Sequence, residues 1–341
     1  GIIAHHQKLS ALLAAGILLL PATQYPATTW WSKPDLDREY VLSLDVEHYF
    51  GNIQKMRKHL ETDRQILWVT YYRNLYNATH PSEINSPVSL SRNLLAWNQP
   101  GTNGLILPVN PSASFLSILF ANELWFTLGD MTMAEHCAML SMIFSPRNSG
   151  SRMIKRLAEI NLVNGDDEAA LKYLRILDKT LLHKSWAEKR IPGQQTPRVK
   201  EWLEKKRRDI PTQDHLRSGN DAVTSLRNLV ASNAGNLRAY EYLLCYHLLS
   251  KDLRSFVEDY VPGKVSSSIF AEALLIHLAR QGNIRAEELI KYQIPVKIAK
   301  EFADYTRLYE AKDTSLKEKY GKTYWFYYHF ATTEPGKESK P

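Results

Sequence analysis

A chain of 341 residues can bury a sizeable core, as two ordinary domains or as one extended array. Gly (15) and Pro (16) are both scarce, which argues against strand-and-turn architectures. The net charge of +7 is modest and uneven: residues 184–217 carry ten Lys/Arg against five Asp/Glu, a local basic patch rather than a basic protein.

The first thirty residues form a hydrophobic segment. Leu9 to Ala22 is a run of fourteen residues whose one polar member is Ser10. A bilayer needs about 20 apolar residues for an untilted helix. Three readings stay open: the end of a transmembrane helix, the core of a signal peptide flanked by Lys8, or a buried first helix. Trp30 and Trp31, with Tyr25 and Lys33, resemble an interfacial belt. Membrane association through residues 1–31 is the expectation. Charge barely orients the segment, and the periplasmic side is preferred for the helical domain.

Residues 32–330 read as helical throughout, with irregular inserts at about 80–111 and 183–220. Leu36 to Leu60 reads as two helices, with Leu36, Tyr40, Val41 and Leu44 on one face and Phe50, Ile53, Met56 and Leu60 on another. Asp45 could cap the second. A further helix covers Asp63 to Thr79, and Asn77-Ala78-Thr79 reads as a chance match to a glycosylation sequon. The 80–111 insert holds Pro81, Pro87, Pro100, Gly101, Gly104, Pro108 and Pro111, with a short helix ending at Trp97. A loop this long within a helical domain is often functional.

Two helix–turn–helix units come next. Ser112 to Pro146 turns at Gly129-Asp130. Ser151 to Thr180 turns at Asn164-Gly165-Asp166-Asp167, between apolar stripes Ile154, Leu157, Ala158, Leu162 and Ala170, Leu171, Leu174, Leu177. The glycine suits a left-handed helix end, and Asp166 or Asp167 suits a cap. One hairpin cannot bury both faces and requires similar neighbours.

Beyond the second insert, where Pro197 to Arg208 reads as a helix, helices are predicted over 221–234, 236–250, 253–260, 266–280, 283–292, 296–311 and 316–330. The last eleven residues form a polar tail. Cys137 and Cys245 lie within predicted helices, make no CxxC unit and read as buried free thiols.

The turns fall at Gly129, Gly165, Lys251-Asp252 and Gly282, in steps of 36, 86 and 31 residues. A period near 34 is that of tetratricopeptide repeats. Ala134 and Ala170 each lie five residues after their glycine, Trp125 precedes Gly129 by four, and Pro146 ends the unit. The match departs at Asn161, where an aromatic is usual, and is loose over 221–292. The predicted fold class is all-α, an α/α superhelix of tetratricopeptide-like helical hairpins. The wider arrangement resembles a family of uncharacterised membrane-anchored Bacteroidetes proteins with a C-terminal helical-repeat domain. Asp167–Trp186, Asn236–Asp252 and Thr323–Phe330 carry that resemblance, and it implies no activity.

Few residues suggest chemistry. His136-Cys137 and Cys245-x-His247 have the wrong helical spacing to chelate. Asp45-Val46-Glu47-His48 would need a partner from elsewhere to act in acid–base catalysis. No catalytic, metal or cofactor residue is assigned, and no cofactor is expected. In Arg198 to Arg208, Val199, Trp202 and Leu203 make an apolar face that leaves the charges solvated; contact with phosphate or anionic lipid is the rival reading. The partner-binding candidates are Trp97, Trp202, Lys205, Lys206, Arg207 and Arg208. The expected function is a non-enzymatic scaffold for a protein or peptide at the cell envelope, with nucleic acid not expected as a partner. The rivals are a carbohydrate-active enzyme on an α/α toroid, suggested by the Tyr and Trp content, and a purely structural domain of a membrane protein.

Overall fold

The computed structural model describes residues 36–61, 115–144, 150–212 and 222–331, together with positions 69, 72, 73, 75 and 76. Residues 1–35, Trp97 with most of the 80–111 insert, the Asn77 sequon and the tail beyond Ala331 lie outside them. Among the described residues the regular structure is all helical. No helix among them is long and apolar enough to cross a membrane. They form two compact units that divide after His59.

The first unit holds α1 (Leu36–Phe50) and most of α2 (Ile53–Leu60). Gly51 makes the turn in the left-handed region. Val41, Leu44 and Met56 are buried, whereas Leu36 and Phe50 are exposed, because the helix ends overhang the buried stripe. Asp45 is not a cap. It sits inside α1 and is buried, while Glu47, two residues on, pairs with His59 of α2 at 2.9 Å.

The second unit begins its well-described part with two hairpins. α3 (Phe115–Leu128) and α4 (Met131–Phe144) meet at Gly129; α5 (Ser151–Asn164) and α6 (Asp167–Asp178) meet at Gly165. Both glycines have positive φ, +93° and +81°. The Asp130 carboxylate accepts from Met133 N and that of Asp166 from Ala169 N, each at 2.9 Å, so both hairpins start their second helix with an Asp cap. α3 packs on α4, α4 on α5 and α5 on α6, as expected for a stack built from sequence neighbours. Asn161, the departure from the repeat pattern, is buried and donates to Leu157 O one turn back.

Two short helices lie in the insert after α6: α7 (Lys184–Glu188), which periodicity does not reveal, and α8 (Pro197–Arg207). α8 leaves the order of the stack and packs back on α5.

The remaining helices are α9 (Ala222–Ser232), α10 (Leu237–Leu249), α11 (Leu253–Asp259), α12 (Ser268–Arg280), α13 (Ala286–Lys291), α14 (Val296–Glu310), α15 (Leu316–Tyr320) and α16 (Tyr324–Phe330). The predicted single helix over 316–330 is therefore two. Gly321 ends the first, and Thr323 caps the second by accepting from Phe326 N at 3.3 Å. Lys251, the glycine-less turn, has φ +58°, and Asp252 caps α11 through Ser255 N. Cys137 and Cys245 are both buried.

Remote side chains satisfy helix ends that would otherwise be left with orphan carbonyls. At the end of α3, Arg238 donates to Thr127 O (3.1 Å) and Asn236 to Leu128 O (2.7 Å). Asn236 also caps α10 through Ala239 N, which ties the two halves of the unit together. At the end of α10, Tyr324 and Tyr327 donate to Leu248 O and Leu249 O, both at 2.8 Å.

Candidate functional site

Where α3, α5, α7 and α8 meet, cations and aromatic rings alternate. α5 supplies Arg152, Lys155, Arg156 and Glu159, whose spacing of three and four puts them on one side of the helix. α3 supplies Glu123 and Phe126. α8 supplies Trp202 and Lys206, four residues apart and so on one face. That face turns toward α3 because Val199 and Leu203 are buried beneath it.

Phe126 is the centre. The Arg156 guanidinium lies 3.8 Å and Lys206 Nζ 4.5 Å from its ring centroid. Trp202 stacks beside it, with centroids 6.3 Å apart. The array continues to Trp186, which has Arg190 at 4.1 Å and Lys155 at 5.2 Å; Arg190 also lies 6.0 Å from the Trp202 ring. Cations over aromatic faces are held by the ring quadrupole, more strongly when water is displaced.

The carboxylates are distributed unevenly. Glu123 pairs with Arg156 at 2.6 Å and Arg152 at 3.2 Å, and Glu159 pairs with Arg156 at 3.4 Å. Among the described residues, no carboxylate lies within pairing distance of Arg190 or Lys206. Their nearest protein acceptors are carbonyls: Trp186 O at 3.1 Å and Phe126 O at 3.5 Å. The Arg190 Nε is buried without a hydrogen-bond partner.

These surroundings set the electrostatics. Burial, then the like charges of Arg238 and Arg156, push the Lys206 amine down to about 8. Burial also holds Lys155 below the ordinary lysine range, against the opposing pull of Glu159, and lowers Arg190. His183 is lowered by burial and by Lys155 beside it. The shifts of Lys155, Arg190 and Lys206 reflect cations that the fold solvates poorly, and that of His183 favours its neutral ring. Such a face can hold an anion by charge and hydrogen bonding while the rings cover apolar stems.

Of the predicted site residues, Trp202 and Lys206 lie in this array. Arg207 does not: its guanidinium donates to Leu162 O (2.7 Å) and Val163 O (3.0 Å), satisfying the end of α5. Lys205 and Arg208 are exposed. The charges of this strip are therefore not uniformly solvated, because α8 docks on α5 and turns Lys206 and Arg207 toward neighbouring helices. Phe126, Arg156, Trp186 and Arg190 escape the sequence reading. A signal for two of them is present: Trp186-Ala187-Glu188-Lys189-Arg190 and Trp202-Leu203-Glu204-Lys205-Lys206 share one pattern, and in each the residue after Trp is buried. Among the described residues no group of three or more metal-type donors gathers at one point.

The chain belongs to a family of unknown function, DUF6057, which matches residues 2–331. No curated protein and no solved structure matches it.

Proposed function

We propose that the protein is a binding scaffold: a stack of tetratricopeptide-like hairpins that presents the Phe126–Trp186–Trp202 face to a protein or peptide partner. The observation that carries this reading is the pair of cations, Arg190 and Lys206, held on aromatic rings with no carboxylate of the described residues within pairing distance. Half-buried aromatic and arginine side chains are the anchors of protein interfaces. Support for the repeat comes from the matched turns at Gly129 and Gly165 and their Asp caps. The step from helical repeats to partner binding is an inference by association, since fold does not fix function.

The apolar run Leu9–Ala22 and the resemblance to membrane-anchored Bacteroidetes proteins support a cell-envelope setting. The test is capture from detergent-solubilised native membranes with the full chain as bait. A stoichiometric partner, reduced when Trp186 and Trp202 are both changed to Ala, is the expected result. Recovery of no stoichiometric partner would sink the reading. Fractionation of the full chain against one lacking residues 1–31 tests the membrane assignment; equal partition into membranes would refute it.

A further inference from the structure

We infer that the array at Arg190 and Lys206 is a binding site for the carboxylates of an acidic peptide segment. The inference rests on the scaffold reading and names the chemistry that the face recognises.

Around Phe126 and Trp186, five cations (Arg152, Lys155, Arg156, Arg190, Lys206) share two carboxylates, Glu123 and Glu159. Glu123 and Glu159 are both engaged with Arg156, so the surplus falls on the Arg190 and Lys206 side. A half-buried cation without a counter-charge lowers the stability of the fold. Glu159 and Asp209 offset part of that loss from beyond pairing distance, with Asp209 itself paired to Arg238 at 3.1 Å; an anion in contact would offset more.

Geometry narrows the ligand. The Arg190 guanidinium lies over the Trp186 ring, one terminal nitrogen donates to Trp186 O, and Nε is buried. The other terminal nitrogen is left as a charged donor of the kind that a carboxylate oxygen accepts. Lys206 offers a point charge over the Phe126 ring, whereas Arg190 lies over Trp186. Two donors on different rings suit successive single charges along a chain better than one compact dianion. Moving a dianion onto a face floored by rings would also desolvate more charge at one point. Glutamate and aspartate side chains on a flexible segment meet both conditions, and their methylenes can lie against the indoles.

Lys206 also sets how the site responds to pH. The charged groups facing it are Arg156 and Glu159 from α5, Arg238 from α10 and Asp209 just beyond α8. Arg156 and Arg238 favour the neutral amine; Glu159 and Asp209 oppose them. With the amine near 8, the site has its full charge below that pH and loses one charge above it. A bound carboxylate stabilises the charged form, so affinity must fall as pH rises through 8.

The experiment is calorimetric titration of the full chain with acetylated, amidated hexaglutamate, with inorganic phosphate in a parallel arm. The expected result is saturable peptide binding that weakens with added salt, falls as pH is raised from 7 to 9, and drops tenfold or more in the Arg190→Gln/Lys206→Met double variant. Lys172→Met, an exposed change on α6, should bind as the parent does. Lys206→Arg should keep the binding and lose the pH step, a separation that a purely structural role would not produce. Circular dichroism checks each fold; should the double variant unfold, the pH step of the parent and its loss in Lys206→Arg carry the test.

No peptide binding, or equal binding by the double variant, overturns the inference. So does phosphate binding that displaces or exceeds the peptide at these residues. A native partner captured equally by parent and double variant would overturn this inference and leave the scaffold reading standing. Intact hexaglutamate binding with no native partner would do the reverse.

Discussion

The face built by α3, α5, α7 and α8 and the far end built by α10 to α16 use the same residue types in opposite ways. At the far end the buried and half-buried carboxylates are closed within the fold, while Lys251 and Lys264 lie over tyrosine rings. Asp259 accepts from His247 at 2.8 Å and from Arg227 at 2.9 Å. Glu272, buried, accepts the Tyr324 amide at 2.6 Å, while its own carbonyl takes the Trp325 indole at 2.9 Å. Asp304 holds Arg307, Tyr320 and Lys319, and those bonds keep its carboxyl well below the usual range. Tyr324 and Tyr327 end on the carbonyls of α10, and burial raises both phenols. The first face differs in gathering its cations at one place: five lie on or beside one array of three rings, and two of them, Arg190 and Lys206, have no carboxylate of the described residues at pairing distance. Internal closure marks a region that stabilises itself; an unclosed surplus marks one that waits for something else.

The comparison can be broken most severely at Trp325. It is fully buried and packs among Phe302, Tyr305 and Tyr320. Trp325→Ala should lower stability by about 3–5 kcal/mol, read from urea unfolding. Because α16 caps α10, the change should also loosen the hydrogen-exchange protection of the last turn of α10. Unchanged protection there would mean that the far end is less closed than its hydrogen bonds imply.

Within the first region, the two hairpin turns should part company. A Cβ on Gly129 would sit 2.4 Å from Asp209 O, whereas one on Gly165 meets nothing within 4 Å. Gly165→Ala should cost about 1–2 kcal/mol, the strain of a left-handed alanine. Gly129→Ala adds a backbone clash and should cost roughly twice that. Equal costs would show that α8 and the turn are not pressed together. Asp166→Ala removes the cap of α6 and should cost about 1 kcal/mol by thermal melting.

The smallest effect should carry the opposite sign. The Lys206 amine lies near 8 in the fold against 10.5 unfolded. Between those values the unfolded chain binds more protons, so stability rises with pH; below 8 the full cost of the buried charge is present. Lys206→Met should therefore stabilise the protein at pH 7, by under about 1 kcal/mol given its partial exposure. The gain should shrink towards pH 10.5. A variant that is less stable at pH 7 would mean that the amine is already paired, which would erase the contrast between the two regions.

Much of the helical order is legible in the chain. Eight residues announce α5 and α6 through spacing alone; Leu157, Ala158, Leu162, Ala170, Leu174 and Leu177 are buried, and Ile154 and Leu171 are half-buried. Elements shorter than two turns are legible unevenly: α11 and α13 fall within predicted spans of their own, and others do not. α7 has five residues, too few for a period to show, and the break between α15 and α16 rests on one glycine and a Thr cap. The site is legible only in part. Trp202 and Lys206 stand out by charge and aromatic type, but Phe126 is one apolar residue among many in α3. Arg207 misleads for the same reason, since local sequence does not reveal that a guanidinium will find the carbonyl end of another helix.

The sequence by itself determined that this chain makes helices, where most of them turn, and that an Asp after Gly165 caps the next helix. These are short-range matters of periodicity, left-handed glycines and Asp side chains, decided within one or two turns of backbone. Tertiary structure alone decided that α8 folds back on α5, that Gly129 is crowded where Gly165 is open, and that Arg190 and Lys206 rest on rings without a carboxylate. Those outcomes depend on which side chains meet across long separations in the chain, as Arg207 meets Val163 and Arg238 meets Thr127. Spacing within a helix carries no record of such meetings.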